Sequence, residues 1–401
     1  MNAVRSSPIR CVSALRRWSR VDAPMLRIES PFSLLSPSVI QRRTMTKVSA
    51  LSLTSKRRHG KKISMVTAYD YPSAVHVARA GMDILLVGDS VAMVELGYEN
   101  TQPITLRDML HHCATVKRGV TAVASQVSQV PLLVGDMPFG TYEYQDTDVA
   151  LRNAYAFVKE AGMDAVKLEG GSKARAQTAQ RIVEGGVAVM GHVGLTPQAI
   201  SVLGGFRAQG RTAVRARQLV DEALRLQDAG VFAVVLECVP SNVARSITDT
   251  LEIPTIGIGA GPHTSGQVLV YHDMLGMTSH PHHDQFVPKF CKKYAQVGHM
   301  IQEGLLEFKA DVENGTFPSD AFSPYVMTDA EHIQFDDLLA KDAAERRHQL
   351  NEADQKYVDT DEYEKLHLYG APSHATEQPA KGTAASEPRP EEQSGAATRK
   401  K

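Results

Sequence analysis

The sequence predicts a (β/α)8 barrel, and three observations between residues 60 and 320 support that class. Short apolar runs of strand length alternate with amphipathic stretches of helical length. The runs are rich in Val, Ile and Leu, as expected for strands that are covered on both faces. Their number and spacing match the size and rhythm of this barrel. An open doubly wound sheet, which also alternates strands and helices, remains the alternative.

Eight apolar runs are the candidate strands of the barrel. In chain order they cover residues 63–68, 83–89, 131–138, 164–170, 187–194, 232–238, 254–260 and 267–273. Helical periodicity follows in stretches such as 72–81, 105–119 and 213–230. Several of these stretches end in a glycine that suits a left-handed helix stop, namely Gly81, Gly119, Gly162 and Gly230.

The two ends of the chain differ in composition from the middle. Residues 1–45 are rich in arginine and serine and poor in acids, which is typical of a mitochondrial transit peptide; a disordered basic tail is the alternative. Residues 46–328 form the predicted barrel domain, and residues 329–365 a helical extension. Residues 366–401 contain few large apolar side chains, so we expect a disordered low-complexity tail.

Charge, hydropathy and cysteine spacing argue against several functional classes. The formal net charge of −1 gives no electrostatic reason to expect nucleic acid binding. No apolar run approaches the roughly 20 residues that span a bilayer, so we expect no membrane association. The four cysteines lack the short spacings of a zinc site or a disulfide framework, and we interpret them as reduced thiols: Cys11, Cys113, Cys238 and Cys291.

Charged or polar side chains close five consecutive candidate strands. In order they are Asp89, Asp136, Glu169, His192 and Glu237. Because the C-terminal ends of parallel barrel strands lie on one face, where the active sites of this fold are found, we expect these side chains to converge. One such residue alone is more often a cap or a satisfied buried group. Five in order favour an active site.

The residue types of this row predict metal-assisted enolate chemistry. Asp89, Asp136 and Glu169 offer only oxygen ligands, which Mg2+ prefers, and such an ion stabilises a forming enolate. Lys167 lies two residues before Glu169, on the same side of its strand, where it is suited to hold a substrate carboxylate. Glu237, which has apolar neighbours in the sequence, is the candidate base that removes a proton next to a carbonyl.

Several longer motifs occur in order along the chain. Among them are TAYDYP (67–72), LVGDS (86–90), VKLEGG (166–171), GHVGLTPQ (191–198) and LECVP (236–240). These motifs resemble those of the ketopantoate hydroxymethyltransferase family. The resemblance covers about residues 46–320 and implies a barrel of the phosphoenolpyruvate/pyruvate type.

The resemblance implies the first committed step of pantothenate synthesis. A one-carbon unit would pass from 5,10-methylenetetrahydrofolate to 3-methyl-2-oxobutanoate, giving 2-dehydropantoate and tetrahydrofolate. The family's Mg2+ carboxylates match Asp89, Asp136 and Glu169, and its base matches Glu237. The groups that hold the keto acid, directly or through the ion, match Asp89, Ser90, Asp136, Lys167 and His192.

The resemblance also implies a homo-oligomer, with a decamer expected. The N-terminal extension favours a eukaryotic, fungal-type form in the mitochondrial matrix. The chain departs from the family pattern in its tail beyond residue 320 and in HPHHDQFV (280–287), which we interpret as a solvated loop rather than a second metal site. The alternative function is a metal-dependent carbon–carbon lyase of the same barrel superfamily, which would need no folate. A barrel scaffold without activity would be expected to have lost some of the strand-end residues.

Deletion of residues 1–43 tests the transit-peptide prediction. Turnover of the purified protein should stay unchanged, because the predicted barrel begins after this segment. A fluorescent fusion of the truncated chain should stay in the cytosol, whereas the full-length fusion should reach mitochondria. Microscopy and fractionation of the two fusions measure this, and mitochondrial import of the truncated fusion would contradict the prediction.

Overall fold

Eight parallel strands close into a barrel in the computed structural model, which describes residues 46–205, 207–277 and 288–358. Each strand pairs with its neighbours in the chain, and the eighth strand pairs with both the seventh and the first. The predicted barrel is therefore confirmed, and the open sheet is excluded. The strands are β1 (Ile63–Thr67), β2 (Ile84–Val87), β3 (Leu132–Asp136), β4 (Ala165–Lys167), β5 (Ala188–Gly194), β6 (Ala233–Glu237), β7 (Thr255–Ile258) and β8 (Gly266–Leu269).

Helices connect the successive strands from β1 to β7, whereas residues 259–265 join β7 to β8 without a helix; further helices precede and follow the barrel. Two short strands, Thr46–Lys47 and Gln129–Val130, form a separate parallel pair. Within the described residues the helices are α1 (Ala50–Arg58), α2 (Tyr71–Arg79), α3 (Val91–Val94), α4 (Leu106–Val123), α5 (Thr147–Lys159), α6 (Lys173–Glu184), α7 (Ile200–Leu203), α8 (Ala213–Asp228), α9 (Ser241–Thr250), α10 (Tyr271–Leu275), α11 (Val297–Glu313) and α12 (Asp329–Val358).

Helices α2 and α4 begin at capping boxes. The side chain of Asp70 accepts a hydrogen bond from the Ser73 N–H at 2.8 Å, and Ser73 Oγ accepts one from the Asp70 N–H at 3.3 Å. Thr105 and Asp108 exchange the equivalent bonds at the start of α4. Each box satisfies N–H groups that the first turn of a helix leaves without partners, so the sequence sets where these helices start.

The prediction that Gly119 ends its helix is wrong, because α4 continues to Val123. A Cβ at position 119 would lie 2.6 Å from the carbonyl oxygen of Tyr71. Glycine at this position therefore allows α4 to approach α2 closely. The other predicted helix-stop glycines do adopt positive φ angles, of 70°, 69° and 87° at Gly81, Gly162 and Gly230.

Alternate residues of the strands fill the barrel interior. Ile63 and Met65 of β1 and Leu132 and Val134 of β3 belong to one buried cluster with the matching residues of the other strands. The intervening residues, such as Leu133, belong to a second cluster that includes residues of the surrounding helices. Because successive side chains of a strand point to opposite faces, position along the strand decides which residues enter the interior.

The last strand is shorter than the sequence predicts. The expected strand covers residues 267–273, but β8 ends at Leu269 and helix α10 begins at Tyr271. The backbone N–H of Tyr271 donates a hydrogen bond to Thr67 Oγ1 at 2.9 Å. This bond fixes the first residue of α10 to the end of β1, at the point where the extended chain of β8 has given way to a helix. Apolar character alone therefore overestimates the length of the strand.

The chain divides into two compact units at Glu307 and Phe308, earlier than the predicted domain end at residue 328. In the second unit, α12 begins at Asp329, where the helical extension was predicted to begin. The ring of Phe317 lies 5.7 Å from that of Phe308 and 5.5 Å from that of Phe322. The predicted transit peptide, the 280–287 insertion and the predicted tail lie outside the described residues.

Three of the four cysteines lie in the described residues. Cys113, Cys238 and Cys291 are free thiols, as the spacing of the cysteines indicates. Within the same part of the chain, no helix combines the length and the apolar character that crossing a bilayer requires.

Substitution of Gly194, the last residue of β5, tests how closely the ends of β5 and β6 pack. Its φ is +102°, and a Cβ there would lie 2.2 Å from the carbonyl oxygen of Glu237. Gly194→Ala should therefore lower the free energy of unfolding by at least about 2 kcal/mol, from backbone strain and overpacking together. Gly186→Ala is the matched control, because Gly186 has a φ of +86° and no heavy atom within 4 Å of the added Cβ. Its loss should be about 1 kcal/mol in urea unfolding. Equal losses would contradict the close contact.

Candidate active site

The predicted strand-end residues converge at the C-terminal mouth of the barrel. Asp136, Lys167 and Glu237 end β3, β4 and β6, and His192 lies within β5. Asp136 continues the inward-facing series of Leu132 and Val134 in β3. The alternation that fills the interior with apolar side chains therefore also directs the last side chain of the strand into the mouth.

Most of this cluster is withdrawn from water. Asp136 and His192 are 1 % exposed, Lys167 and Glu169 are 4 % exposed, and Asp89 is 6 % exposed. The side chain of Glu237 is 18 % exposed. The candidate base is thus more accessible to solvent than the other charged residues of the cluster.

Lys167 is the cation at the centre of the carboxylates. Its Nζ donates to Asp136 Oδ1 at 2.8 Å and to Oδ2 at 2.6 Å, and it lies 3.7 Å from Glu169 Oε1. Burial disfavours the ammonium, but Asp136, Glu169 and Asp89 outweigh it and hold the pKa of Lys167 above its ordinary value. Lys167 is therefore positively charged.

Burial also disfavours the charged form of the two aspartates, and for a carboxyl group this raises the pKa. Desolvation raises the pKa of Asp136 to about 6, although the charge of Lys167 opposes the shift. Desolvation also raises the pKa of Asp89, again against the effect of Lys167. Both carboxylates would be stabilised by further positive charge in the mouth.

His192 lies between two carboxylates. Its Nδ1 is 3.4 Å from Glu169 Oε1 and its Nε2 is 3.3 Å from Glu237 Oε2, although neither contact has the geometry of a hydrogen bond. Burial opposes the imidazolium, but Glu169 and then Glu237 outweigh it and raise the pKa of His192 to about 9. At neutral pH His192 therefore places a positive charge beside the candidate base.

Ser90 is held by a different neighbour. Its Oγ shares a hydrogen bond of 2.7 Å with the hydroxyl of Tyr69, which is itself fully buried at the end of β1. Burial keeps the pKa of Tyr69 well above its ordinary value, so the phenol stays neutral. Ser90, which follows Asp89 in the chain, is thus held by a neutral partner and offers a neutral hydrogen-bonding group.

Sequence reasoning missed two buried residues of the cluster, Gln198 and Tyr142. The Gln198 side chain donates to Asp89 Oδ2 at 2.9 Å, and its backbone N–H donates to Glu169 Oε2 at 3.1 Å. The Tyr142 hydroxyl donates to Gln198 Oε1 and accepts a bond from the Glu169 N–H at 3.1 Å. Gln198 ends the motif GHVGLTPQ, which is the one signal that pointed toward it.

The charge of the cluster suits a divalent cation. Four carboxylates, those of Asp89, Asp136, Glu169 and Glu237, face two cations, which leaves a formal charge of −2. The Asp89 N–H donates to Asp136 Oδ2 at 3.2 Å, so these two ligand candidates are adjacent. Magnesium is usually held by one or two carboxylates, with water and substrate oxygens completing its shell.

The donor set therefore fits Mg2+ through Asp89 and Asp136. In residues 46–205, 207–277 and 288–358, no three His, Cys, Asp or Glu side chains are arranged to hold a metal ion by themselves. Glu169 as a third direct ligand stays a prediction, since its Oε2 accepts the Gln198 N–H and its Oε1 lies near His192 and Lys167.

The backbone beside Glu237 is strained and firmly tied. Cys238 has a φ of +51°, in the left-handed region that costs an L-residue about 1–2 kcal/mol. Its N–H donates to the Ile258 carbonyl at 2.9 Å, and its carbonyl accepts the Gln209 N–H at 3.0 Å. These bonds hold the conformation, and they tie Gln209, in the segment between α7 and α8, to the end of the strand that carries the candidate base.

A closed parallel barrel with buried acids, a lysine and a histidine at its mouth defines an enzyme of the (β/α)8 class. Residues 47–320 match the family model for ketopantoate hydroxymethyltransferase. The chain belongs to that family. In overall fold it also resembles the solved structure of 2,3-dimethylmalate lyase, a PEP mutase/isocitrate lyase superfamily member, with a TM-score of 0.42 and 14 % identity over 74 % of this chain and 98 % of that one.

Curated relatives support the same family. "3-Methyl-2-oxobutanoate hydroxymethyltransferase 1, mitochondrial" from Oryza sativa subsp. japonica is 56 % identical over 74 % of this chain and 79 % of its own length. The protein of that name from Arabidopsis thaliana is also 56 % identical, over 71 % of this chain and 80 % of its own. A bacterial 3-methyl-2-oxobutanoate hydroxymethyltransferase, from Heliobacterium modesticaldum, is 49 % identical over 67 % and 91 %.

Replacement of Lys167 tests the electrostatics of the mouth. Lys167→Met should lower the free energy of unfolding by about 3 kcal/mol, because it leaves the buried Asp136 without its cationic partner. In the double variant Asp136→Asn with Lys167→Met the loss should be smaller than in Lys167→Met alone, since the uncompensated charge is gone. Urea unfolding in the presence of a chelator measures both. Losses that simply add would contradict the coupling.

Proposed function

We propose that the protein transfers a hydroxymethyl group from 5,10-methylenetetrahydrofolate to 3-methyl-2-oxobutanoate, giving 2-dehydropantoate and tetrahydrofolate. This is the first committed step of pantothenate synthesis. The observation that carries the proposal is the convergence of Glu237, His192 and Lys167 beside the Asp89–Asp136 pair. Membership of the family and the names of the curated relatives support the choice of substrate.

The keto acid would be held by positive charge and one hydroxyl. Lys167 and protonated His192 lie within the carboxylate cluster, and once a divalent cation offsets its formal charge of −2 they would hold the carboxylate of the substrate. Ser90, fixed by Tyr69, offers a neutral hydrogen bond. Asp89 and Asp136, with Glu169 near them, would hold Mg2+, which when bound supplies a Lewis acid that polarises the keto group.

Glu237 is suited to remove the proton from C3 of the keto acid. Its carboxylate is partly exposed at the mouth, and the imidazolium of His192 lies 3.3 Å from Oε2. The C–H electron pair becomes the enolate, which forms a carbon–carbon bond to the methylene carbon of the folate. Both C–N bonds of that carbon break, and water supplies the hydroxyl oxygen. The C3 proton and one proton of the water balance the two N–H groups of tetrahydrofolate.

We further propose that the protein acts in the mitochondrial matrix as a homo-oligomer, with a decamer as the expected assembly. The basic, acid-poor composition of residues 1–45 supports the location. The names of the two plant relatives, each of which includes the word mitochondrial, support it as well. The assembly is an expectation from the family, and sedimentation of the purified protein tests it.

The direct test of the function uses the purified full chain with Mg2+, the keto acid and methylenetetrahydrofolate. Formation of 2-dehydropantoate that requires all three components is the expected result. The alternative lyase would instead cleave a hydroxy acid in the absence of folate. Such folate-independent cleavage, without any 2-dehydropantoate in the complete mixture, would overturn the proposal.

Glu237→Gln isolates the proton-transfer step. Exchange of the C3 proton of 3-methyl-2-oxobutanoate in heavy water should fall by about 100-fold or more, the range expected for loss of a general base. Binding of the keto acid, measured by calorimetry in Mg2+, should persist because the other contacts remain. Glu160→Gln, at an exposed position after α5, is the matched control and should behave like the unchanged protein. Retained exchange in Glu237→Gln would remove this residue from the role of base.

A further inference from the structure

We propose that Gln198 is a positioning residue that holds the metal-binding carboxylates in one orientation. The inference rests on the proposed function for the identity of the cation, Mg2+. Gln198 contacts Asp89 through its side chain and Glu169 through its backbone. It thereby links two acids that follow different strands of the barrel.

The hydrogen bonds around Gln198 leave its amide a single orientation. The carbonyl of Met137 can only accept, so the side-chain group 3.0 Å from it is the NH2 group, which also donates to Asp89 Oδ2. The Tyr142 hydroxyl already accepts the Glu169 N–H, so its own proton goes to Gln198 Oε1. Reversing the amide would place its oxygen against two acceptors.

The position of Gln198 is as constrained as its amide. Gln198 is 2 % exposed and lies in the short 3-10 turn Pro197–Ala199 that follows β5. Its carbonyl accepts a bond of 2.9 Å from the side chain of Gln102, a residue between α3 and α4. Loops that follow β2, β3 and β5 therefore meet at this residue, so it cannot shift without breaking contacts to each of them.

The hydrogen bond from Gln198 orients the carboxylate of Asp89. The bond from Gln198 occupies Oδ2 and supplies a neutral donor, whereas Asp136 accepts two bonds from the cationic Lys167 in addition to the Asp89 N–H. Partners of this kind orient metal ligands, and their loss usually costs about 10–100-fold in metal affinity. Gln198 is a positioning residue in this sense, since it acts through Asp89 and Glu169.

Gln198→Met tests the inference, because methionine has a similar volume but offers none of the amide hydrogen bonds. The Kd for Mg2+, measured by calorimetry on the full chain without substrates, should rise about 10–100-fold. In turnover, the KM for Mg2+ should rise, while kcat at saturating Mg2+ should recover toward the unchanged value. Gln180→Met, at an exposed position of α6, is the matched control and should change neither quantity.

Tyr142→Phe provides a second, milder variant. It removes the hydroxyl that orients the amide but keeps the ring, which packs under Arg175 with its guanidinium carbon 4.3 Å from the ring centroid. The Kd for Mg2+ should rise in the same direction by a smaller factor. Should Gln198→Met fail to fold, as judged by circular dichroism, an unchanged Kd for Mg2+ in Tyr142→Phe would still overturn the inference.

An unchanged Kd for Mg2+ in the folded variants would overturn the inference. A loss of kcat at saturating Mg2+ with an unchanged Kd would overturn it as well, because Gln198 would then act on the substrates rather than on the carboxylates. Failure of the proposed function has a different signature. The unchanged protein would bind Mg2+, and Gln198→Met would weaken that binding, yet no 2-dehydropantoate would form.

Discussion

The buried ion pair between Lys167 and Asp136 is the interaction on which the rest of the mouth depends. Removing two such charges from water costs several kcal/mol for each ion, and good geometry with further hydrogen bonds is needed to offset it. Both conditions hold, since Lys167 contacts both oxygens of Asp136 and the Asp89 N–H adds a third bond. The two residues are register partners in neighbouring strands, so the pairing of β3 with β4 brings them together.

The same strands supply both the core and the site. Leu132 and Val134 lie in the apolar interior and Asp136 follows them at the mouth, and Ala233, Val235 and Glu237 repeat the pattern in β6. An apolar stack thus lies directly beneath the charged layer. Burial by that stack and by the surrounding loops gives the charges their strength, because opposite charges attract more strongly where water is excluded.

The agreement between sequence and structure is best where the signal is local. The eight strands and the row of strand-end acids both follow from spacing within a few residues. Gly119 and the end of β8 were misjudged because contacts with distant residues, Tyr71 and Thr67, decide them. Gln198 and Tyr142 were not predicted for the same reason. The sequence around a glutamine or a tyrosine does not indicate whether the side chain is buried beside a carboxylate.

The sequence by itself determined the barrel class, the order of the strands along the chain and the row of charged residues at or just after the ends of five of them. Its motifs also determined the family. Only the tertiary structure decided which atoms pair, that His192 lies between Glu169 and Glu237, and that Gln198 joins Asp89 to Glu169. The physical reason is that strand alternation acts between near neighbours in the chain. Charge state and hydrogen bonding depend on desolvation, and on groups that are brought together only when the barrel closes.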